Sequence, residues 1–279
     1  MDEQGLFSEV LAALLATQPD EKIQSVEWLG REWTNGRLDR PKKPPTTLLT
    51  KSATTKSAPI KIEHPGRPEK PLLVHHRDLD KRKLSTPAGR AALIHAIAHI
   101  EFNAINLALD AVYRFREMPE AYYSDWLSVA MDESRHFRLL ETRLEELGHQ
   151  YGDFPAHNGL WDMAVQTDHD VLHRMSLVPC VFEARGLDVT PPMIQKLERV
   201  GDEKSASILK VILDEEVGHV AIGQKWFQHE CRERGLNPEQ TLVDLIAAYL
   251  PGRRHGPFNV EDRIKAGFTS RQLTRIGAL

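Results

Sequence analysis

The 279-residue sequence predicts an all-α protein. Its centre is a four-helix bundle with a long crossover, preceded by an arm of short helices and extended chain and followed by extra C-terminal helices. Three observations predict this. Long stretches carry apolar residues at helical spacing between recognisable start and stop signals. The pattern Glu-x-x-His occurs in two of these stretches, as Glu133 with His136 and as Glu216 with His219, and residues three apart share one helical face. A glutamate inside an apolar run precedes each pair at nearly the same distance: Glu133 follows Glu101 by 32 residues, and Glu216 follows Glu183 by 33.

The elements follow in chain order. Residues 6–36 alternate apolar and polar positions at helical spacing and read as two short helices broken at Pro19-Asp20. From Arg40 to about Leu84 the composition shifts to Pro-Lys-Lys-Pro-Pro and Thr/Ser clusters, which predict extended loop. The adjacent His75 and His76 fall in it and read as surface or phosphate-type contacts rather than metal ligands. Thr86-Pro87 is a cap followed by proline at the first helical position, opening a helix to about Arg116. After the turn at Met118-Pro119 a second long helix runs from Glu120 to Leu147, with Gly148 as its stop. Residues 151–159 form the core of a connection long enough to cross the length of a bundle. A third helix is expected over 160–185, kinked at Pro179 and ended by Gly186, with a short helix from Thr190-Pro191 to Val200. Gly201-Asp202 caps a fourth long helix to about Arg234. One more helix after Asn237-Pro238, a Gly-rich loop over 251–259 and a final amphipathic turn after Ser270 complete the chain. The expected domains are residues 1–85 (arm), 86–235 (bundle) and 236–279 (C-terminal extension).

Hydrophobic residues at 41% and charged residues at 27% are ordinary for a globular protein. The net charge of −4 lacks the basic excess of a nucleic-acid-binding surface. Cys180 and Cys231 are too few and too far apart for a disulfide framework or a zinc ribbon, and read as buried thiols of a reducing cytoplasm. The first residues carry neither a basic leader nor an apolar signal core, and no continuous apolar run reaches the roughly 18 residues that span a bilayer. A cytoplasmic protein without a membrane partner is expected.

A dinuclear metal site in a four-helix bundle takes one glutamate from each of two helices and a Glu-x-x-His from each of the other two. Glu101, Glu133, His136, Glu183, Glu216 and His219 supply that set. Glu101 lies on the apolar stripe of its helix, where an ionised carboxylate is costly unless paired or metal-bound. Four glutamates balance two divalent cations, and mixed oxygen and nitrogen donors suit iron or manganese. Asp132 and Glu215, one residue before each Glu-x-x-His, are expected to accept the free ring N–H of the histidine on the opposite helix. Glu146 and His149 share the spacing but straddle Gly148 at a helix end, without a partner pair. His95 with His99, and His169 with His173, read as hydrogen-bonded packing residues.

The stretches His95–Phe102, Leu109–Phe115, Tyr151–His157, Glu183–Thr190, Asp214–His219 and Gly256–Asn259 carry a resemblance. They resemble the ferritin-like superfamily of carboxylate-bridged di-metal proteins, and most closely the bacterial domain-of-unknown-function family 455. The resemblance covers the chain from about Pro65 onward and implies the bundle and the same six ligands. The function expected is a non-haem di-iron, or iron/manganese, oxidase or oxygenase. Its partners would be dioxygen, a small-molecule substrate and, for an oxygenase, an electron donor, in a monomer or small homo-oligomer. Substrate entry is expected near the break after Gly186 or under the Pro179 kink, where the third helix loosens beside Glu183, with Ala184 as the position for bulky test substitutions. The alternatives are a tRNA-modifying hydroxylase of the ferritin-like type, a non-enzymatic iron-storage protein, or a binding protein with a structural metal.

Overall fold

The computed structural model of the protein describes residues 5–39, 59–80, 82–252 and 256–279. The Pro-Lys-Lys-Pro-Pro stretch and the Ser/Thr run up to residue 58, expected as extended loop, lie outside the described residues, as do residues 253–255 of the C-terminal loop. The described residues are all-helical; they hold two isolated bridges, Gly5 with Asp39 and Leu73 with Ala156, and no strand. They divide into two compact units, Met1–Glu69 with Glu101–Arg135, and Lys70–Ile100 with His136–Leu279.

In the first unit, α1 (Leu6–Leu15) buries Leu6, Val10, Ala13 and Leu14, and α2 (Pro19–Thr34) buries Ile23, Val26, Leu29 and Trp33. Both sets repeat every three or four residues and so form one stripe per helix. Pro19 begins α2, where its missing N–H is one that no helix uses. Lys22 is fully buried, and its Nζ donates to the carbonyls of Ala13 and Leu14, each at 2.8 Å. Both carbonyls lie in the last turn of α1, where helical donors run out, and the Leu14 carbonyl also accepts the Gly66 N–H at 2.9 Å. Burial without a carboxylate partner pulls the Lys22 pKa down to about 7. The unit also takes the second half of α3 (Pro87–Arg114) and the first half of α4 (Glu120–Glu146). Trp33 Nε1 donates to Ser124 Oγ at 2.8 Å, and Gly30 lets Met131 approach so closely that an added Cβ would meet its sulfur. Asp110 and Arg114 form a buried two-pronged ion pair on α3, with contacts of 2.7–3.1 Å.

In the second unit, α3 starts where Thr86 Oγ1 accepts the Gly89 N–H at 3.1 Å. α4 ends where Gly148 turns to φ +76° and the His149 N–H returns to the Leu144 carbonyl at 2.9 Å. The connection after α4 is pinned to α3. The Gly152 N–H donates to His95 Nε2 at 2.9 Å, and the Tyr151 hydroxyl pairs with His99 Nδ1 at 2.8 Å. Backbone bonds between Leu72, Val74 and Ala156 fasten the preceding loop to the same connection.

The third helix differs from the expectation. Three helices and a wide turn replace it and the short helix after it: α5 (Gly159–Gln166), α6 (Val171–Leu177), a π-helical turn over Val178–Glu183, and α7 (Ala184–Arg199). The break falls at Asp170, whose carboxylate accepts the Leu172 N–H at 2.7 Å and caps α6 more favourably than a continuing helix would. The buried Arg174 bridges the break to Thr167 Oγ1 and the Ala164 carbonyl. Pro179 lies in the π-helical turn, where widening accommodates a residue without an N–H. Gly186 does not end α7, and Pro191 and Pro192 lie inside it. Pro191 leaves the Leu187 carbonyl without its usual donor, and Asn259 Nδ2 takes that place at 3.2 Å. The Asn259 N–H and the Arg263 guanidinium both bind the buried Asp188, the latter at 2.7 and 2.9 Å.

α8 (Glu203–Glu233) packs along α7 and begins at Asp202, which accepts the Ser205 N–H and binds Arg143 at 2.8 Å and Arg90 at 3.3 Å. α9 (Pro238–Tyr249), α10 (Val260–Lys265) and α11 (Ser270–Arg275) follow, α10 being an element that the sequence pattern does not separate from the loop. Among the described residues α3 alone is long and apolar enough to cross a membrane by length and composition, a property that counting uninterrupted apolar residues misses. Of its most apolar 18-residue window 72% is buried within the protein, as in a core helix.

Candidate metal centre

Glu101 on α3, Glu133 and His136 on α4, and Glu216 on α8 each offer one ligand atom, and these four atoms lie within 4.8 Å of one another. Glu101, Glu133 and His136 are buried to 4%, 1% and 0% exposure. The Glu216 side chain keeps 14%. The one-turn spacing on α4 stacks Glu133 over His136, so their presence together is a local consequence of helix geometry.

The His136 ring is oriented from outside the group. Its Nε2 lies 2.6 Å from Glu215 Oε2, the separation of a charge-assisted bond in which the ring N–H donates. In the tautomer whose Nε2–H donates to Glu215, the lone pair is on Nδ1. His219 is also buried; its Nδ1 lies 3.4 Å from Glu216 Oε1, and its ring centroid is 5.7 Å from that of His136. Asp132 pairs with Arg135 on its own helix at 2.9 Å. Glu183 is the last residue of the π-helical turn and is half-buried; its charge, after burial itself, helps raise the Cys180 thiol well above its ordinary pKa. Glu183 and His219 lie outside the group of four whose ligand atoms meet within 4.8 Å.

This donor set fits a metal ion. Three carboxylates and one imidazole in a buried place carry a formal charge that is costly without a counter-charge. Donors about 2.1 Å from one octahedral ion are about 3.0 Å apart in adjacent positions and about 4.2 Å apart across it. A group spanning at most 4.8 Å is therefore close to the size of one ion's coordination shell. A second ion would need further donors beside it, and the imidazole next to Glu216 is of the right type.

The other histidines have different surroundings. His95 is fully buried, and burial, opposed by Asp153 and assisted by His149, lowers its pKa to about 4. His75 and His76 are exposed, with rings 4.2 Å apart, and His75 Nδ1 accepts the Arg77 N–H. Glu146 binds Arg143 and Lys204, whereas His149 binds Asp153, so that pair does not share a site. Sequence reasoning did not anticipate the π-helical turn at Glu183. Its visible signal is Pro179, four residues earlier in an otherwise helical run. The pairing of His173 with Tyr249 was also not anticipated, because nothing local links residues 76 apart.

The family described as "Protein of unknown function (DUF455)" matches residues 15–274. The chain belongs to the DUF455 family. A relative of this DUF455 chain from Haemophilus influenzae (strain ATCC 51907 / DSM 11121 / KW20 / Rd), named "Uncharacterized protein", is 49% identical over 213 residues, covering 74% of each chain. No solved structure matches the DUF455 chain.

Proposed function

We propose that this DUF455 protein is a non-haem dinuclear metal oxidase or oxygenase built on a ferritin-like four-helix bundle. The bundle helices would be α3, α4, the α6–α7 run and α8. The observation that carries this reading is the convergence of Glu101, Glu133, His136 and Glu216 within 4.8 Å, three of them almost wholly buried. Glu183 and His219 complete the proposed ligand set, which would hold two iron ions, or manganese or a mixed pair. Such a pair would supply the binding and reduction of dioxygen, with electrons from a separate electron donor.

The chain's own residues prepare the place. Glu215 fixes the His136 ring so that one nitrogen is presented without a conformational search. The burial of Glu101, Glu133 and His136 keeps bulk water from competing for their donor atoms. The partners in this reading are dioxygen, a small-molecule substrate and an electron donor, and the compartment is the cytoplasm.

The test is oxygen uptake by anaerobically reduced, iron-loaded protein, with native mass recorded alongside. The reading predicts uptake that stops in Glu133→Ala, from a monomer or small oligomer. Full iron loading without uptake would remove the oxidase assignment, and a closed shell of many subunits would point to storage.

A further inference from the structure

His169, Asp170, His173 and Tyr249 form a cluster made of residues other than those of the buried centre. Asp170 caps α6, and this places His169 just before the helix and His173 in its first turn. Tyr249 ends α9, which packs against α6. Both imidazoles converge on one phenol oxygen: His173 Nδ1 lies 2.7 Å and His169 Nε2 3.5 Å from the Tyr249 hydroxyl. The rings meet edge to face, His169 with His173 at 5.0 Å and His173 with Tyr249 at 5.6 Å between centroids. His169 is exposed, while His173 and Tyr249 are half-buried, so solvent reaches one side of the cluster.

We propose that His169, His173 and Tyr249 are the protein ligands of a surface site for a zinc- or copper-type divalent cation. Two imidazoles and a phenol oxygen are the donor types such ions prefer over magnesium or calcium. Donors about 2.05 Å from one ion lie about 2.9 Å apart at right angles and about 3.3 Å apart at tetrahedral angles. The observed 2.7 and 3.5 Å bracket these values.

The surrounding charge favours a cation. Arg234 is held by Asp170 at 2.7 Å and by Glu230 at 2.8 Å. The three groups together carry one net negative charge beside the histidines. Coordination through the phenol oxygen would release the hydroxyl proton to solvent, one proton for each ion bound.

The experiment titrates the full chain with zinc by calorimetry and with copper(II) by visible spectroscopy. The protein is the Glu216→Ala variant, which weakens the buried centre, and only binding that is lost on replacing His169 or His173 is assigned to the surface site. Zinc uptake at one site per chain is expected, together with a phenolate-to-copper charge-transfer band. His169→Ala and His173→Ala should each weaken zinc binding at least ten-fold. Tyr249→Phe, a mild change that keeps the ring, should abolish the band, and His75→Ala with His76→Ala should change neither readout. Unaltered zinc affinity in the His169 and His173 variants, or a band that persists in Tyr249→Phe, would overturn the site. Neither result bears on the oxidase reading, which rests on other residues.

Discussion

Replacing His95 by glutamine should make the protein less sensitive to acid. His95 is fully buried, its Nε2 accepts the Gly152 N–H at 2.9 Å, and its ring lies 5.4 Å from both Tyr151 and Phe154. Protonation would require that nitrogen to give up its acceptor role and put a charge where water cannot reach. The folded-state pKa is accordingly lowered to about 4 from an ordinary value of 6.5. The unfolded chain therefore binds more protons than the folded one between these values. Stability is fully present above about pH 6.5 and is lost as pH falls toward 4. Each tenfold difference in proton affinity between the folded and unfolded chain is worth about 1.36 kcal/mol. Lowering the pH from about 7.5 to about 4.5 should therefore remove roughly 2.5 kcal/mol through this residue. Glutamine offers an oxygen acceptor to Gly152 but does not titrate. Urea unfolding across that range, for both proteins in the same metal state, isolates the effect because the other titrating groups are shared. Parallel stability–pH curves for wild type and His95→Gln would refute the reasoning.

Two further substitutions test the packing that carries α7 and the π-helical turn. Asp188→Asn removes one partner of a buried ion pair that leaves Arg263 3% exposed. It should cost about 3–5 kcal/mol in urea unfolding; a loss below about 1 kcal/mol would mean that the pair is dispensable. Gly223→Ala introduces a Cβ 2.3 Å from Pro179 Cβ, closer than atoms can approach. A loss of about 1–3 kcal/mol is expected from this overpacking, and an unchanged or raised melting temperature would show that the turn yields freely.

Much of the fold was legible because its helix ends are marked by chemistry within a few residues. Thr86-Pro87, Gly148 and Asp202 stop or start long helices through bonds to their own neighbours. The third helix was misread where partners distant in the chain decide the outcome. Pro191 is tolerated inside α7 because Asn259, 68 positions later, serves the carbonyl left without a donor. Asp170 breaks the run because its cap competes with helix continuation, and Arg174 makes the break compatible with burial. At the centre, spacing shows which side chains share a helix face, as with Glu133 and His136. It does not show how far apart faces of different helices lie. The structure draws Glu101 and Glu216 to that pair within 4.8 Å and leaves Glu183 and His219 outside the group.

In the proposed reading, Glu101, Glu133, His136 and Glu216 stand together to hold metal. Elemental analysis of the purified chain beside Glu216→Ala tests it most directly. About two iron or manganese atoms per wild-type chain, strongly reduced in the variant, is the predicted result. No metal in either protein after anaerobic reconstitution, or the same iron or manganese content in wild type and Glu216→Ala, would contradict it and leave the four residues as a polar core.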